Sequence, residues 1–231
     1  MLRNIINGLI QLAYPQICSG CGAVLMRQEK YFCLQCVHNM PFTAISSVYN
    51  NEIMRRLSAR VPLSWGYGLM YFQKKSITQR TLHDIKYNNH KDLAVYMGGM
   101  LAKHMEGKIN LDNSYIIIPV PLHVRKERLR GYNQSAFLGK GMSEQLGIPC
   151  CNNILLRKNF RDSQTHKHRS ERWEQIQKDF FIRDNKEVYN KNVILVDDIF
   201  TTGATAEVCS NTLLNAQVKS VAVVTLAIAV N

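Results

Sequence analysis

The sequence has no long apolar run, no internal repeat and no low-complexity tract. A membrane-spanning helix needs about 18 or more consecutive apolar residues, whereas the longest mainly apolar stretch, 220–230, is short enough for a buried strand. Apolar residues make up 46% of the 231 residues and charged residues 20%. This composition indicates a globular core rather than disorder, and the length allows one domain with a small module or two modest domains.

The N terminus lacks the features of an export signal. It carries one early basic residue, Arg3, and its apolar stretch is broken by Asn7, Gly8 and Gln11, with no small-residue cleavage site before Cys18. Six apolar residues recur there at helical spacing instead, namely Leu2, Ile5, Ile6, Leu9, Ile10 and Ala13. We therefore expect an N-terminal amphipathic helix in a cytoplasmic protein, and an export signal is the less favoured alternative.

Acidic residues are scarce relative to basic ones. The chain has 29 Lys and Arg against 17 Asp and Glu, a net charge of +12. Residues 125–183 alone hold 13 basic and 6 acidic residues, so +7 of this charge lies in about a quarter of the chain. Such a region either attracts polyanions or forms a solvated surface that favours solubility, and charge alone does not separate the two.

Four of the seven cysteines, Cys18, Cys21, Cys33 and Cys36, form two C-x2-C pairs separated by eleven residues. This spacing favours a tetrahedral zinc site over two disulfides, a redox pair or unrelated buried thiols. Because four thiolates leave no open coordination position, such a zinc ion would be structural, and segment 23–32 is long enough for a small hairpin. Cys150, Cys151 and Cys209 lack such partners, and Cys209 is expected to be buried in a helix.

Beyond Pro41 we expect an irregular segment or linker over 41–64 and then alternating strands and helices. Strands are predicted at 65–72, 115–120, 154–156, 193–196 and 220–229. Helices are predicted at 77–87, 92–105, 134–146, 170–178 and about 204–214. Several strands are apolar on both alternating sets of residues, a pattern typical of parallel strands covered on both faces. The predicted fold class is therefore α/β with a parallel sheet flanked by helices.

The most specific motif is VILVDDIFTTGAT at 193–205. It has neither the Gly-Lys-Ser/Thr of a Walker A loop nor a G-x-G-x-x-G pattern. An apolar strand delivers Asp197 and Asp198 to the carboxyl edge of the sheet, and the small and hydroxyl residues 201–205 then open a helix. Carboxylates suit ribose hydroxyls, directly or through Mg²⁺, whereas backbone N–H groups at a helix N-terminus suit a phosphate. The alternative is a strand-to-helix loop whose acids merely cap the helix.

This motif resembles the phosphoribosyl pyrophosphate (PRPP) signature of type I phosphoribosyltransferases. The chain as a whole resembles the ComF family, in which a four-cysteine, zinc-ribbon-like module is joined to a phosphoribosyltransferase-like domain. Segments 85–102, 117–134 and 155–180 resemble further elements of that family, so the resemblance covers nearly the whole chain. It implies a zinc module at 1–45 and a phosphoribosyltransferase-like domain at 46–231.

The resemblance also implies roles for particular residues. Asp197 and Asp198 would engage the ribose hydroxyls of PRPP together with Mg²⁺, and the loop from Val120 to Arg125 would lie on the pyrophosphate side. The 5-phosphate would be held by Thr201, Thr202, Gly203, Ala204 and Thr205. Closure over the site and neutralisation of the leaving pyrophosphate would fall to Arg161, Lys167 and Arg172.

Two functions follow as expectations. The first is Mg²⁺-dependent transfer of a phosphoribosyl group from PRPP to an unknown acceptor, with release of pyrophosphate. The alternative, which the ComF resemblance suggests, is a single-stranded DNA-binding factor that works with DNA-uptake machinery in natural transformation. In that case the basic region would follow the phosphate backbone, and exposed aromatics such as Tyr132, Phe160 and Trp173 would stack on bases.

Overall fold

The computed structural model describes residues 15–158 and 179–230. Its centre is a four-stranded parallel sheet in the order β1-β6-β5-β2, with the strands β1 (Trp65–Phe72), β2 (Tyr115–Pro119), β5 (Asn192–Phe200) and β6 (Ser220–Ala229). A separate antiparallel pair consists of β3 (Leu155–Arg157) and β4 (Phe180–Ile182). This arrangement confirms the predicted α/β class.

Seven α-helices surround the sheet in the described part of the chain. They are α1 (Leu34–His38), α2 (Glu52–Leu57), α3 (Ile77–Tyr87), α4 (Lys91–Met105), α5 (Val124–Arg130), α6 (Gln134–Leu146) and α7 (Ala204–Asn215). The predicted strands and helices reappear within a few residues, except that helix 170–178 and the N-terminal helix lie outside the described residues. Helix α5 has no buried residue and shows no apolar periodicity, so the hydrophobic pattern did not predict it.

Both faces of the sheet are buried, as the continuous apolar strands predict. Along β5, Val193 and Leu195 pack on the face covered by α2 and α7, while Ile194 and Val196 pack on the face covered by α3, α4 and α6. Helices α4 and α6 approach so closely that a Cβ atom at Gly141 would overlap the backbone carbonyl oxygen of Val95 in α4. This packing holds the N-terminus of α6 at the end of β5, where the acidic motif lies.

Segment 41–64 is irregular apart from α2 and one β-bridge, as one of the two expected alternatives has it, but its contacts with the sheet show that it is not a linker. Phe42 forms a β-bridge with Met70, the Thr43 amide donates to the Leu69 carbonyl at 2.8 Å, and α2 lies within the segment. Helix α2 was not predicted, because a helix of only six residues, Glu52–Leu57, is too short to show a clear apolar periodicity. Its N-cap Asn51 is buried and accepts hydrogen bonds from the first turn, and its Nδ2 donates to the Gly66 carbonyl of the edge strand β1 at 2.8 Å, which ties the helix to the sheet.

The cysteine segment packs against the helices of one sheet face. Cys18, Phe32 and Cys36 belong to the same buried cluster as the residues of α3 and α4, and the rings of Tyr31 and Tyr96 lie 5.0 Å apart. The domain boundary at residues 45 and 46 stays a prediction. No helix in the ranges that the structure describes is long and apolar enough to cross a bilayer.

Candidate functional site

The four cysteines of the two C-x2-C pairs converge. The Sγ atoms of Cys18, Cys21, Cys33 and Cys36 all lie within 4.8 Å of one another, and those of Cys21 and Cys33 are 3.7 Å apart. Sulfurs bound about 2.3 Å from a tetrahedral zinc ion are separated by about 3.8 Å. The four-cysteine cluster is therefore compatible in donor type and spacing with a zinc site.

Backbone groups favour the thiolate of Cys18. The amides of Gly20 and Cys33 each donate to the Cys18 Sγ at 3.3 Å. Burial opposes ionisation of Cys18, yet the backbone N–H groups around it lower the pKa of its thiol to about 7. The expected hairpin within 23–32 is absent from the described structure, because Val24 pairs instead with Ile17 and so closes a turn around the first cysteine pair.

The two acids of the central motif lie within β5, beyond the end of its neighbour β2. Pairing with β6 continues to Phe200, so β5 is longer than predicted, and Asp197 is still in register with Thr225. The strand holds both carboxyl groups at the carboxyl edge of the sheet, where ligands of open α/β folds bind.

Asp198 is 4% exposed and has one cationic and one neutral hydrogen-bonding partner. Its Oδ2 lies 2.9 Å from the Lys86 Nζ, and the same oxygen accepts a hydrogen bond from the Gln134 Nε2 at 2.9 Å. Burial of a carboxylate is costly unless the group is paired and hydrogen-bonded in this way. Lys86 lies in segment 85–102 and Gln134 ends segment 117–134, yet sequence reasoning gave neither residue a role, since neither stands beside the acids along the chain.

Asp197 is held less strongly. Its Oδ1 accepts from the Ser135 Oγ at 3.1 Å and from the Asp198 amide at 2.8 Å. Enclosure of its carboxyl group, followed by repulsion from Asp198, raises the pKa of Asp197 to about 7. A cation or a ribose hydroxyl placed beside Asp197 would therefore stabilise the charged form of its carboxyl group.

The loop after β5 is open to solvent on one side. Thr201 and Thr202 are exposed, Gly203 is buried with a φ of +82°, and Ala204 and Thr205 begin α7 partly exposed. The Thr202 hydroxyl accepts from the Ala204 amide at 3.4 Å. The first backbone N–H groups of a helix lack partners within the helix and favour anions. The loop is therefore not packed shut in the interior.

Val120 and Arg125 occupy different settings. Val120 is buried at the end of β2, where its amide donates to the Val196 carbonyl and its own carbonyl accepts from Asn133. Arg125 is exposed on α5. Between them, Pro121 and Leu122 line a groove of about 430 Å³ that also contains Lys91 and Arg157.

Three predicted residues, Arg161, Lys167 and Arg172, lie outside the described residues, as do Phe160 and Trp173. Tyr132 is described, and its expected exposure was wrong. Its ring is buried and its hydroxyl donates to the Ile85 carbonyl. The aromatic ring supports the junction of α3 and α6 and is not available to stack on a base.

A second cleft, of about 720 Å³, opens at the carboxyl ends of β1 and β6. Tyr71, Gln73, Asn50 and Ser46 line it with hydrogen-bonding groups, and Arg56 lines the side that faces the loop after β5. Its volume is in the range of small-molecule sites.

Comparison with known proteins agrees with this geometry. A family model described as a phosphoribosyl transferase domain matches residues 133–229. The chain is 35% identical over 223 residues to competence protein F of Haemophilus influenzae, covering 94% of this chain and 89% of that protein. It is 24% identical over 208 residues to the DNA utilization protein YhgH of Salmonella typhimurium, covering 89% and 87% of the two chains.

Among solved structures, glutamine PRPP amidotransferase from Bacillus subtilis is similar with a TM-score of 0.44 and 18% identity. The alignment covers 62% of this chain and 30% of that enzyme.

Proposed function

Because the chain belongs to the competence protein F family and carries a phosphoribosyl transferase domain, we propose that it binds PRPP with Mg²⁺ and transfers the phosphoribosyl group to an acceptor. The observation that carries the proposal is the placement of Asp197 and Asp198 on the same strand that leads into the loop 201–205. One sheet edge thus offers carboxylates for a ribose and backbone N–H groups for its 5-phosphate.

The residues present suit a hydrated Mg²⁺ ion. In the ranges that the structure describes, the Asp197 Oδ1 has two donors, whereas no hydrogen bond is made to its second oxygen. Mg²⁺ is bound in proteins by one or two carboxylates together with substrate phosphates. When bound with PRPP, Mg²⁺ would offset negative charge on the leaving pyrophosphate.

The side chains around the acids have definable tasks in such a transfer. Breaking the bond from C1 of ribose to pyrophosphate builds positive charge on the sugar, which nearby carboxylates stabilise. Lys86 holds the Asp198 side chain through their 2.9 Å ion pair, and Ser135 orients Asp197. The cleft beside Arg56 leaves space for an acceptor at the same edge of the sheet.

Titration calorimetry with PRPP and Mg²⁺ tests the proposal. Asp197→Asn and Asp198→Asn should each abolish measurable PRPP binding, because the charge that holds Mg²⁺ and the ribose is removed. Asp112→Asn is the matched control, since Asp112 is exposed and bonds only within its own turn to Ser114 among the described residues. Unchanged PRPP affinity in both site variants would contradict the proposal.

A second candidate function is binding of single-stranded DNA, in keeping with the name of the YhgH relative. Three basic side chains lie over aromatic rings near the groove beside β2: Arg130 over Tyr87 at 5.5 Å, Lys91 over Phe137 at 5.8 Å and Lys158 over Phe181 at 6.0 Å. Tyr87 is 59% exposed. Cationic and aromatic groups together form the surfaces on which single strands bind.

Competition separates the two functions. If an oligodeoxythymidine probe binds with a steep salt dependence that PRPP and Mg²⁺ do not alter, the DNA surface is separate from the PRPP site. If PRPP with Mg²⁺ displaces the probe, the two ligands share the site. Absence of any salt-dependent binding by the probe would remove the DNA proposal and leave the PRPP proposal in place.

A further inference from the structure

The loop that would hold the 5-phosphate rests on α2 and the turn after it, which lie outside the matched range 133–229. The Arg56 Nη1 donates to the Thr201 carbonyl at 2.7 Å, and the Arg60 Nη2 donates to the Thr202 carbonyl at 3.2 Å. Two consecutive carbonyl groups of the loop are thus each bound by a guanidinium from the same short segment.

Both arginines are themselves held in place. The Arg56 Nε donates to Glu52 at 2.6 Å, and its Nη2 donates to the carbonyl of Ala229 in β6 at 3.2 Å. Arg60 donates to Glu207 on α7 at 2.6 Å and to the Arg56 carbonyl at 2.6 Å. These bonds connect the segment to β6 and to α7, on either side of the loop.

Apolar packing supports the same contact. Gly203 has a φ of +82°, and a Cβ atom added there would lie 2.9 Å from both the Leu57 Cδ2 and the Phe200 Cζ. The loop therefore lies directly on α2, and glycine is required both for the backbone conformation and for the close approach.

The hydrogen bonds determine which way the loop amides point. In a trans peptide the C=O and the following N–H point in opposite directions. Because the arginines bind the carbonyls of Thr201 and Thr202, the N–H groups of Thr202 and Gly203 point away from α2. Without these bonds, either peptide could rotate and present a carbonyl oxygen, which repels a phosphate.

The charges favour an effect on conformation rather than direct phosphate binding. Arg56 is paired with Glu52, which Arg55 also binds, and Arg60 is paired with Glu207, so the charge of each of these two guanidinium groups is offset by a carboxylate. Each guanidinium donates one hydrogen bond to a carboxylate and one to a loop carbonyl. A phosphate on the open side of the loop would therefore meet backbone N–H groups first.

We infer that Arg56 and Arg60 are positioning residues that fix the loop 201–205 in its phosphate-binding conformation. This inference rests on the proposed function, because it assumes that the loop binds the 5-phosphate of PRPP. Lysine keeps the positive charge but loses the planar fork that bonds two acceptors at once. Arg56→Lys and Arg60→Lys therefore test geometry separately from charge.

The experiment compares ribose 5-phosphate and Mg²⁺-pyrophosphate as calorimetric probes. Each variant should bind ribose 5-phosphate about tenfold more weakly, as expected for one charged hydrogen bond, and bind pyrophosphate within about twofold of the wild-type value. Arg55→Lys is the matched control, because Arg55 is on the same helix and bonds to Glu52 without a described contact to the loop. In amide NMR spectra, the Thr202 and Gly203 signals should respond to ribose 5-phosphate in the wild type and respond less in the variants.

The outcomes are distinguishable. Wild-type affinity for ribose 5-phosphate in Arg56→Lys and Arg60→Lys would overturn the inference and leave the proposed function standing. Equal loss of both ligands with a lower melting temperature would also overturn it, since that indicates a structural role. If the wild-type protein binds no ribose 5-phosphate, the proposed function itself fails.

Discussion

Replacement of Asp197 by asparagine should make the ligand-free protein more stable at pH 8 while removing its affinity for PRPP. Enclosure of the carboxyl group, and then the neighbouring Asp198, raise the pKa of Asp197 from the ordinary 3.8 to about 7. The folded state therefore disfavours the charged form that predominates above pH 7. Asparagine carries no such charge and keeps an oxygen that can accept from Ser135 and from the Asp198 amide.

The sign and size of the effect follow from linkage. A carboxyl group whose pKa is raised on folding contributes stability that is fully present below about pH 4 and is lost as pH rises through about 7. Each pH unit between the two pKa values corresponds to about 1.36 kcal/mol. Between pH 5 and pH 8 the wild type should therefore lose about 3 kcal/mol that Asp197→Asn does not lose.

Urea unfolding of both proteins at pH 5, 6, 7 and 8 measures this difference, because the pH effects of groups that do not interact with Asp197 cancel between them. Asp112→Asn provides a control of opposite sign. Hydrogen bonds from the Ser114 hydroxyl and amide lower the pKa of Asp112, so its removal should not stabilise the protein as pH rises. A pH-independent difference between wild type and Asp197→Asn would refute the reasoning, as would a variant less stable at pH 8 than at pH 5 relative to wild type.

Three further outcomes are expected. Lys86→Met should lower the free energy of unfolding by about 3–5 kcal/mol in urea titrations, because it leaves the buried Asp198 without its cation; a loss below 1 kcal/mol would contradict the ion pair. Gly203→Ala should cost about 1–3 kcal/mol and weaken ribose 5-phosphate binding in calorimetry, because its φ of +82° and its contact with Leu57 both oppose a side chain; an unchanged protein would show that the loop can rearrange. Cys21→Ser should reduce bound zinc from about one ion per chain in elemental analysis and weaken PRPP binding, whereas Cys150→Ser should leave the zinc content unchanged.

The two local motifs could be predicted from the sequence because the functional groups of each motif lie close together along the chain. The cysteine pairs and the run 193–205 each place their functional groups within a few residues, so spacing alone predicted that Cys18 and Cys36 would meet and that Asp197 would precede a helix. The strands were also predictable, since the runs 193–196 in β5 and 221–224 in β6 are apolar on both faces of the sheet.

What the sequence could not supply were the partners brought in by tertiary contacts. Lys86 reaches Asp198 from α3, and Arg60 reaches the loop across 142 residues of chain. Nothing in the local sequence pattern distinguishes these two cations from the rest of the 29 Lys and Arg residues. The prediction that Tyr132 is exposed was wrong for the same reason, because neighbours from other elements cover its ring.

Helix α3 gives a physical reason why the metal module and the acidic site should depend on each other. Near its start, a Cβ atom at Gly20 would lie 3.3 Å from Ile77, and the Arg80 Nη1 donates to the Gly20 carbonyl at 2.9 Å. Near its end, Lys86 forms the ion pair with Asp198. Fewer than three turns of α3 therefore connect the turn around Cys18 with the pair Asp197 and Asp198. Loss of zinc would release the start of α3, and the ion pair at its other end depends on the position of that helix, so weaker PRPP binding is expected to accompany loss of the metal.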